Sequence, residues 1–137
     1  MNKKVSYDFD DTLSNGMVQH HAKLMKKKGY ELFVVTSRLS DEEIMRRRNV
    51  SETNWNNDLY FVAKHLEIPE TNLVFCSYGP KYEFFWDGND DFLFHLDDDL
   101  DEVDGINNMT NMEAFHFPHG NRKAQLEVLN NIKDRFL

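Results

Sequence analysis

Short apolar runs alternate along the chain with longer amphipathic stretches. Runs of strand length occur at 4–7, 32–35, 73–76, 92–96 and 114–117. Between them, apolar residues recur at helical spacing over about 17–28, 40–48, 56–66 and 121–136, with a short helical piece at 81–86. Strands that alternate with helices are typical of a parallel sheet covered on both faces. The pattern predicts an α/β fold, a Rossmann-like doubly wound parallel sheet of about five strands in three α/β/α layers.

Local signals define several helix ends and faces. Gly29 is expected to end the first helix, and Ser40 with Glu43 forms a capping-box pattern at the start of the second. The adjacent His20 and His21 are expected at the surface of the first helix. The Asp- and Asn-rich stretch between the fourth and fifth strands is expected to be a loop. The buried side of the last helix, which Asn121 can cap, is expected to comprise Ala124, Leu126, Val128, Leu129 and Ile132.

Polar side chains follow three of the predicted strands. Side chains alternate along a strand, so Ser6 and Asp8 share one face, and Asp8 lies at the carboxyl end of the first strand. Thr36 and Asp97 end the second and fourth strands. In open parallel sheets, ligands bind beyond these carboxyl ends, where the strand order reverses. The sequence therefore predicts that carboxylates and a hydroxyl meet in one crevice.

Three carboxylates crowd together directly after the first strand, at Asp8, Asp10 and Asp11. Like charges so close repel, and a cation can compensate that repulsion. Carboxylate oxygens with a backbone carbonyl suit Mg²⁺, which leaves room for a substrate phosphate. The alternative interpretation is a solvated acidic turn.

Length and composition limit the possibilities further. The 137 residues fit a single domain, 1–137, without room for a separate cap domain. Cys76 is the only cysteine, which excludes an internal disulfide and suits a reducing compartment; its apolar neighbours suggest a buried strand residue rather than a nucleophile. No apolar run is long enough for a signal peptide or a bilayer span. The protein is expected to be cytoplasmic and independent of membranes.

Charge is distributed unevenly along the chain. The formal net charge is −8, and the stretch from Asp87 to Asp104 contains no Lys or Arg. Basic residues cluster at Lys26–Lys28 and Arg46–Arg48. The acidic stretch either binds cations or is solvated, and the basic clusters either contact an anionic substrate or form ordinary helix surfaces.

The polar positions also carry a family resemblance. The segment from Asp8 to Thr12 resembles the Asp-x-Asp-x-Thr signature of the haloacid dehalogenase (HAD) superfamily. Thr36, Lys81 and the pair Asp97-Asp98 match the second, third and fourth motifs of that superfamily in order and interval. The chain is identified as a member, a compact phosphatase without a cap. It looks similar to the 3′-phosphatase domains of polynucleotide kinases and to nucleotidases.

The resemblance implies roles for these residues. Asp8 would be the nucleophile that becomes a phosphoaspartate, and Asp10 would protonate the leaving group and later activate water. Thr36 and Lys81 would contact the phosphoryl group, with Ser37 and Lys64 as their respective substitutes. The expected Mg²⁺ ligands are Asp8, Asp10 through its backbone carbonyl, Asp97 and Asp98. The residues expected on the substrate side are Thr12, Ser37 and Arg38.

Two pairing partners are possible for Arg38. It could pair with a second part of the substrate, or it could pair on the surface with Asp41 or Glu42.

The expected function is a Mg²⁺-dependent phosphatase whose phosphorylated substrate is a nucleotide or a nucleic-acid end. A HAD-like phosphotransferase, a phosphoprotein phosphatase and a catalytically weak binding module are the alternatives. A phosphoacceptor receiver domain is disfavoured, because receivers place their acidic pair early. A calcium loop starting at Asp8 would need Gly and Glu where Leu13 and Gln19 stand.

Overall fold

A parallel sheet forms the centre of the computed structural model, which describes residues 3–86 and 91–137. Its five strands are β1 (Lys4–Tyr7), β2 (Glu31–Thr36), β3 (Leu73–Phe75), β4 (Phe92–Asp97) and β5 (Ala114–His116). Their order is β3-β2-β1-β4-β5, and every neighbouring pair is parallel. The predicted doubly wound sheet of five strands is confirmed.

Helices connect the strands and cover both faces. They are α1 (Gly16–Lys28), α2 (Asp41–Arg48), α3 (Asn57–His65), α4 (Tyr82–Trp86), α5 (Leu100–Met109) and α6 (Arg122–Phe136). One core cluster joins a face of the sheet to α1, α3 and α6, and a second joins the other face to α4 and α5. The three-layer arrangement is therefore also confirmed.

The two cores follow from alternation along β1. Val5 and Tyr7 are fully buried in the first cluster, while Ser6 points to the opposite face. On the first face they pack with Val18, Ala22 and Met25 from α1, whose spacing places them on one side of that helix.

The predicted helix ends are confirmed by their hydrogen bonds. The Ser40 hydroxyl accepts the Glu43 N–H at 3.2 Å, which satisfies one of the free donors of the first turn of α2. Gly29 ends α1 with a φ of 110°, a left-handed conformation that glycine adopts without a side-chain penalty.

The loop predicted between β4 and β5 is wrong, because α5 occupies most of it. Asp99 caps this helix by accepting the Asp101 N–H at 2.9 Å. Val103 and Ile106 lie three residues apart and bury the inner side of the helix. The Asp and Asn residues that suggested a loop occupy the cap, the first turn and the outer side. Acidic residues in a first turn are stabilised by the helix dipole, so they do not oppose the helix here.

Two side chains differ from their predicted burial. Leu126 of α6 is 40% exposed, while the neighbouring Gln125 is buried and donates to the Pro118 carbonyl at 2.8 Å. His21 was predicted at the surface, but it is buried and its Nδ1 lies 3.0 Å from the Tyr7 hydroxyl. Burial lowers the pKa of His21 to about 4, and the nearby charges of Lys133 and His20 act in the same direction.

Three other predictions have structural outcomes. Cys76 was predicted as a buried strand residue, but it lies directly after β3 and is half-buried. Burial raises its thiol pKa to about 11, which disfavours the thiolate that a nucleophile needs. The acidic stretch starts at Asp87, and 87–90 lies outside the described residues. Within the ranges that the structure does describe, no helix has the length and apolar character to cross a bilayer.

Candidate active site

The strand order reverses between β1 and β4, and two predicted carboxylates lie at that point. Asp8 directly follows β1, and Asp97 ends β4. The Asp8 N–H donates to the Leu96 carbonyl at 2.9 Å, so the ladder between the two strands continues up to the acidic residues. Both side chains are buried at the carboxyl edge of the sheet, where ligands bind in this type of fold.

A tight turn after Asp8 folds the chain back over this carboxylate. The N–H of Leu13 donates to the Asp8 carbonyl at 3.0 Å, and Asp11 adopts a φ of 58°, which Asp tolerates better than most residues. The turn places the Thr12 hydroxyl 3.3 Å from both Asp8 Oδ2 and Asp98 Oδ1. The same hydroxyl accepts the Asp98 N–H at 3.1 Å. Buried Thr12 thus joins the two acidic segments, and its predicted contact with substrate stays a prediction.

Lys81 lies between the two buried carboxylates. Its ammonium group donates to Asp8 Oδ1 at 2.7 Å and to Asp97 Oδ2 at 2.5 Å, although Lys81 precedes α4 and reaches the site from the second core. Lys64, the substitute considered from the sequence, is exposed on α3. The structure therefore brings Lys81, Asp8 and Asp97 together in the way the motif order predicts.

Burial and charge act differently on the two carboxylates. Burial raises the pKa of Asp8 well above its ordinary value, the charge of Asp97 raises it further, and Lys81 opposes both. Burial also acts to raise the pKa of Asp97, but hydrogen bonds and charge from His95 and Lys81 outweigh it and lower that pKa to about 2. Burial disfavours the charged Lys81, yet the two carboxylates outweigh this effect and raise its pKa. Asp8 is therefore the carboxylate whose charge a further cation would stabilise most.

A buried hydrogen-bond chain that the sequence analysis missed supports Asp97. Burial lowers the pKa of the His95 ring, while its hydrogen bond to Asp97 and the charge of Asp97 oppose this shift. Its Nε2–H donates to Asp97 Oδ2 at 2.7 Å, since a carboxylate oxygen accepts, and its Nδ1 lies 2.5 Å from the Ser6 hydroxyl. Ser6 and His95 are direct partners in the β1–β4 register. The signal was available, because each residue precedes a site carboxylate by two positions and therefore shares its face.

Arg38 is bound by two carboxylates, one of which is Asp10. Its Nε and Nη2 donate to the two oxygens of Asp10 at 2.9 and 2.7 Å, and its Nη1 and Nη2 donate to the two oxygens of Asp58 at 2.8 and 2.9 Å. The guanidinium group also lies 4.9 Å from the centre of the Phe9 ring. Such bidentate pairs fix both partners in position.

The predicted surface pairing of Arg38 with Asp41 or Glu42 is wrong. The Asn56 amide donates to Asp41 Oδ1 and to the Leu39 carbonyl, both at 2.9 Å, which ties Asp41 to the start of α3. That tie places Asp58 next to Arg38. A contact between Arg38 and substrate stays a prediction, although both edges of its guanidinium group already bind carboxylates.

Thr36 and Ser37 lie beside this pair at the end of β2. The Thr36 side chain is buried, and its hydroxyl oxygen accepts the Arg38 N–H at 3.2 Å. Ser37 is half-buried and lines a cavity that it shares with Asp10. The contacts of Thr36 and Ser37 with a phosphoryl group stay a prediction.

The cavity beside Asp10 has a volume of about 550 Å³. Ser37, Arg38 and Asp10 are among its lining residues. The remaining lining residues are Leu39, Ile44, Arg47, Arg48, Trp55 and Tyr78. Of these, the sequence had indicated only the arginines, because Trp55 and Tyr78 lie in loops without a periodic pattern.

The acidic residues fit a hard divalent cation. One carboxylate oxygen from each of Asp8, Asp97 and Asp98 lies within 4.8 Å of the other two. All are oxygen donors, the type that Mg²⁺ prefers. Asp97 Oδ2 already accepts from Lys81 and His95, and its Oδ1 accepts the Asp99 N–H at 3.0 Å. Asp8 and Asp98 therefore retain more accepting capacity for a cation than Asp97 does.

Comparison with models of known protein families finds no match for this chain, and neither does comparison with curated proteins. The motif order and the geometry at the carboxyl edge of the sheet are therefore the features that indicate a function.

Proposed function

We propose that the protein is a Mg²⁺-dependent phosphomonoester hydrolase of the HAD type, with Asp8 as its nucleophile. The observation that carries this proposal is the buried Asp8–Lys81–Asp97 cluster at the point where the strand order reverses, with Lys81 Nζ 2.7 Å from Asp8 Oδ1. Burying three charged groups in a small domain is costly, so the cluster favours a catalytic role over a structural one.

Asp8, Asp97 and Asp98 would hold the metal, with the backbone carbonyl of Asp10 as the fourth protein ligand expected from the motif. When bound, Mg²⁺ would offset the repulsion between a carboxylate and a phosphate and would orient the phosphoryl group. Thr12 and the Ser6–His95 chain keep Asp98 and Asp97 in place through the hydrogen bonds described above.

The covalent steps involve the side chains of Asp8 and Asp10. An Asp8 oxygen attacks phosphorus while the bond from phosphorus to the ester oxygen breaks, and Asp10 gives that oxygen a proton. Asp10 then takes a proton from water, which attacks the phosphoaspartate and releases phosphate and free Asp8. Both oxygens of Asp10 accept hydrogen bonds from Arg38, so Asp10 must give up at least one of these bonds when it transfers a proton.

Lys81 and Thr36 complete the proposed machinery. The Lys81 ammonium group stabilises the negative charge of Asp8 before attack and of the phosphoryl oxygens afterwards. The Thr36 hydroxyl oxygen already accepts the Arg38 N–H, so its O–H would be free to donate a hydrogen bond to one of the phosphoryl oxygens.

The test measures phosphate release from a panel of phosphomonoesters with Mg²⁺ and with EDTA. Asp8→Asn is expected to reduce kcat by roughly a thousandfold or more, because it removes the nucleophile. The matched control is Asp11→Asn, an exposed carboxylate in the same turn whose left-handed backbone suits Asn equally well.

Beryllium fluoride, which imitates a phosphoryl group, should bind the wild-type protein and fail to bind Asp8→Asn. Full turnover in Asp8→Asn, or turnover that persists in EDTA, would contradict the proposed mechanism.

A further inference from the structure

Asp10 lines the same cavity as Trp55 and Tyr78. In the proposed function, Asp10 protonates the leaving-group oxygen, so the part of the substrate beyond that oxygen enters this cavity. Its volume of about 550 Å³ is in the range of small-molecule sites. The residues that line it therefore indicate the chemistry of the leaving group.

Two aromatic side chains border the cavity without being needed for the core. Trp55 is 56% exposed and Tyr78 is 71% exposed. An exposed aromatic ring offers a flat apolar face, on which a planar ring can stack. The apolar side chains of Leu39 and Ile44 also contribute to the lining.

The loop that carries Tyr78 holds an uncommon backbone conformation. Ser77 and Tyr78 have φ values of 52° and 67°, in the left-handed region that non-glycine residues seldom adopt. Hydrogen bonds hold this loop against the site: the Ser77 N–H donates to the Arg38 carbonyl at 3.2 Å and the Tyr78 N–H donates to the Ser37 carbonyl at 2.8 Å. Strained residues that are held in this way concentrate at ligand sites.

Three of the four charged residues that line the cavity are arginines. Arg47 is paired with Glu43 at 2.8 Å, and Arg38 is paired with Asp10 and Asp58. Arg48 lies 5.0 Å from the Trp55 ring centre, and it makes no ion pair with any residue in 3–86 or 91–137. Its guanidinium group thus keeps its donors for an anion next to an aromatic face.

We infer that this cavity binds a nucleoside that carries a second phosphate, so that the substrate is a nucleotide with the reacting phosphate at Asp8 and another at Arg48. The base stacks on Trp55 or Tyr78, and Arg48 donates to the second phosphate. The inference rests on the proposed function, because that function places the reacting phosphate at Asp8. The same chemistry occurs in a free nucleoside bisphosphate and at the phosphorylated end of a polynucleotide.

The overall charge restricts how much nucleic acid can bind. A net charge of −8 disfavours a long phosphate track, and the cavity presents one unpaired arginine among the described residues. Few phosphate contacts give a shallow salt dependence of binding. A phosphotyrosine peptide would also offer a ring, but it lacks the second phosphate that Arg48 would bind.

The experiment measures equilibrium binding by calorimetry in the Asp8→Asn protein with Mg²⁺, so that turnover does not consume the ligand. The ligands are adenosine 3′,5′-bisphosphate, a 3′-phosphorylated tetranucleotide, a phosphotyrosine peptide and glycerol phosphate. Trp55→Ala and Arg48→Gln should each weaken binding of the bisphosphate by roughly tenfold, in line with the contribution of one stacked base or one phosphate contact.

Matched controls are available for both substitutions. Trp86 is 55% exposed and lies outside the cavity lining, so Trp86→Ala should leave the affinity unchanged. Arg46 lies on the same helix as Arg48 and pairs with Glu43, so Arg46→Gln tests whether the loss of one positive charge is sufficient.

Tighter binding of the bisphosphate or of the tetranucleotide than of glycerol phosphate, lost in Trp55→Ala, supports the inference, and the tighter of the two ligands identifies the source. Equal binding of glycerol phosphate, no effect of Trp55→Ala, or tenfold tighter binding of the phosphotyrosine peptide overturns it. These outcomes are separate from the proposed function, which fails if wild-type protein releases no phosphate with Mg²⁺, if turnover persists in EDTA, or if Asp8→Asn keeps full turnover.

Discussion

Lys81→Met tests how strongly the Lys81 ammonium group stabilises the two buried carboxylates of the site. The substitution keeps an unbranched side chain of similar length and removes an ammonium group that two buried carboxylates share. Asp8 and Asp97 would then lack their cation, and Asp8 would take up a proton more readily, since burial already raises its pKa. The variant should therefore be much less stable than the wild-type protein when no metal is present.

The magnitude follows from the contacts that are lost. Lys81 makes hydrogen bonds of 2.7 and 2.5 Å to the two carboxylates, and hydrogen bonds to charged groups contribute about 1.5–3 kcal/mol each. Removing one partner of a buried ion pair costs about 3–5 kcal/mol by an independent measure. The two hydrogen bonds together give about 3–6 kcal/mol, which agrees with the ion-pair figure of about 3–5 kcal/mol. A loss of this size corresponds to a fall in Tm of roughly 10–20 °C for a domain of this length.

Thermal unfolding followed by circular dichroism, in EDTA and in millimolar Mg²⁺, is the assay. Lys64→Met, at an exposed lysine of α3, is the control and should shift Tm little. Mg²⁺ should raise the Tm of Lys81→Met more than that of the wild-type protein, because the metal replaces a missing positive charge. A loss below about 1 kcal/mol in EDTA would refute the reasoning, since it would mean that the buried carboxylates do not need Lys81.

Two further predictions concern the metal and a second buried group. Mg²⁺ at a hundred times its Kd should stabilise the wild-type protein by about 2.7 kcal/mol, and a Tm insensitive to millimolar Mg²⁺ would argue against a metal site. The pKa of His21 is about 4 in the folded protein and about 6.5 in the unfolded chain, so the unfolded chain binds more protons. The stabilisation that the buried neutral ring provides is therefore complete above pH 6.5 and is lost as pH falls towards 4. Urea unfolding should show that the loss of unfolding free energy between pH 7.5 and pH 4.5 is smaller in His21→Phe than in the wild-type protein by about 2.5 kcal/mol. An equal loss in both proteins would contradict the burial of a neutral ring.

The sequence alone determined the features that depend on near neighbours. Alternation along β1 predicted that Ser6 and Asp8 lie on the opposite face of the strand from Val5 and Tyr7. Helical spacing predicted which face of α1 is apolar. The capping pattern at Ser40 and the glycine after α1 defined helix ends through hydrogen bonds that span only a few residues. Because parallel strands place their carboxyl ends on one edge, the same local pattern predicted that Asp8, Thr36 and Asp97 share a side of the sheet.

Predictions from local patterns were wrong where polar residues occur in a helix or where burial depends on distant neighbours. The Asp and Asn residues around α5 suggested a loop, although Val103 and Ile106 are enough to attach that helix to the second core. Leu126 and His21 were assigned to the wrong environments, because the edges of a helix face depend on which neighbours pack against it. Secondary-structure propensity is a weak guide at such positions, since tertiary packing overrides it.

Only the tertiary structure decided which partners the site residues have. Ser6 meets His95 because β4 lies next to β1, and residues 89 positions apart in the chain give no local signal of that pairing. Arg38 meets Asp58 because Asn56 ties the start of α3 to the loop after β2. Strand order and loop packing are set by burial of the whole core, and hydrogen bonds between side chains far apart in the chain form only once that core has brought them together.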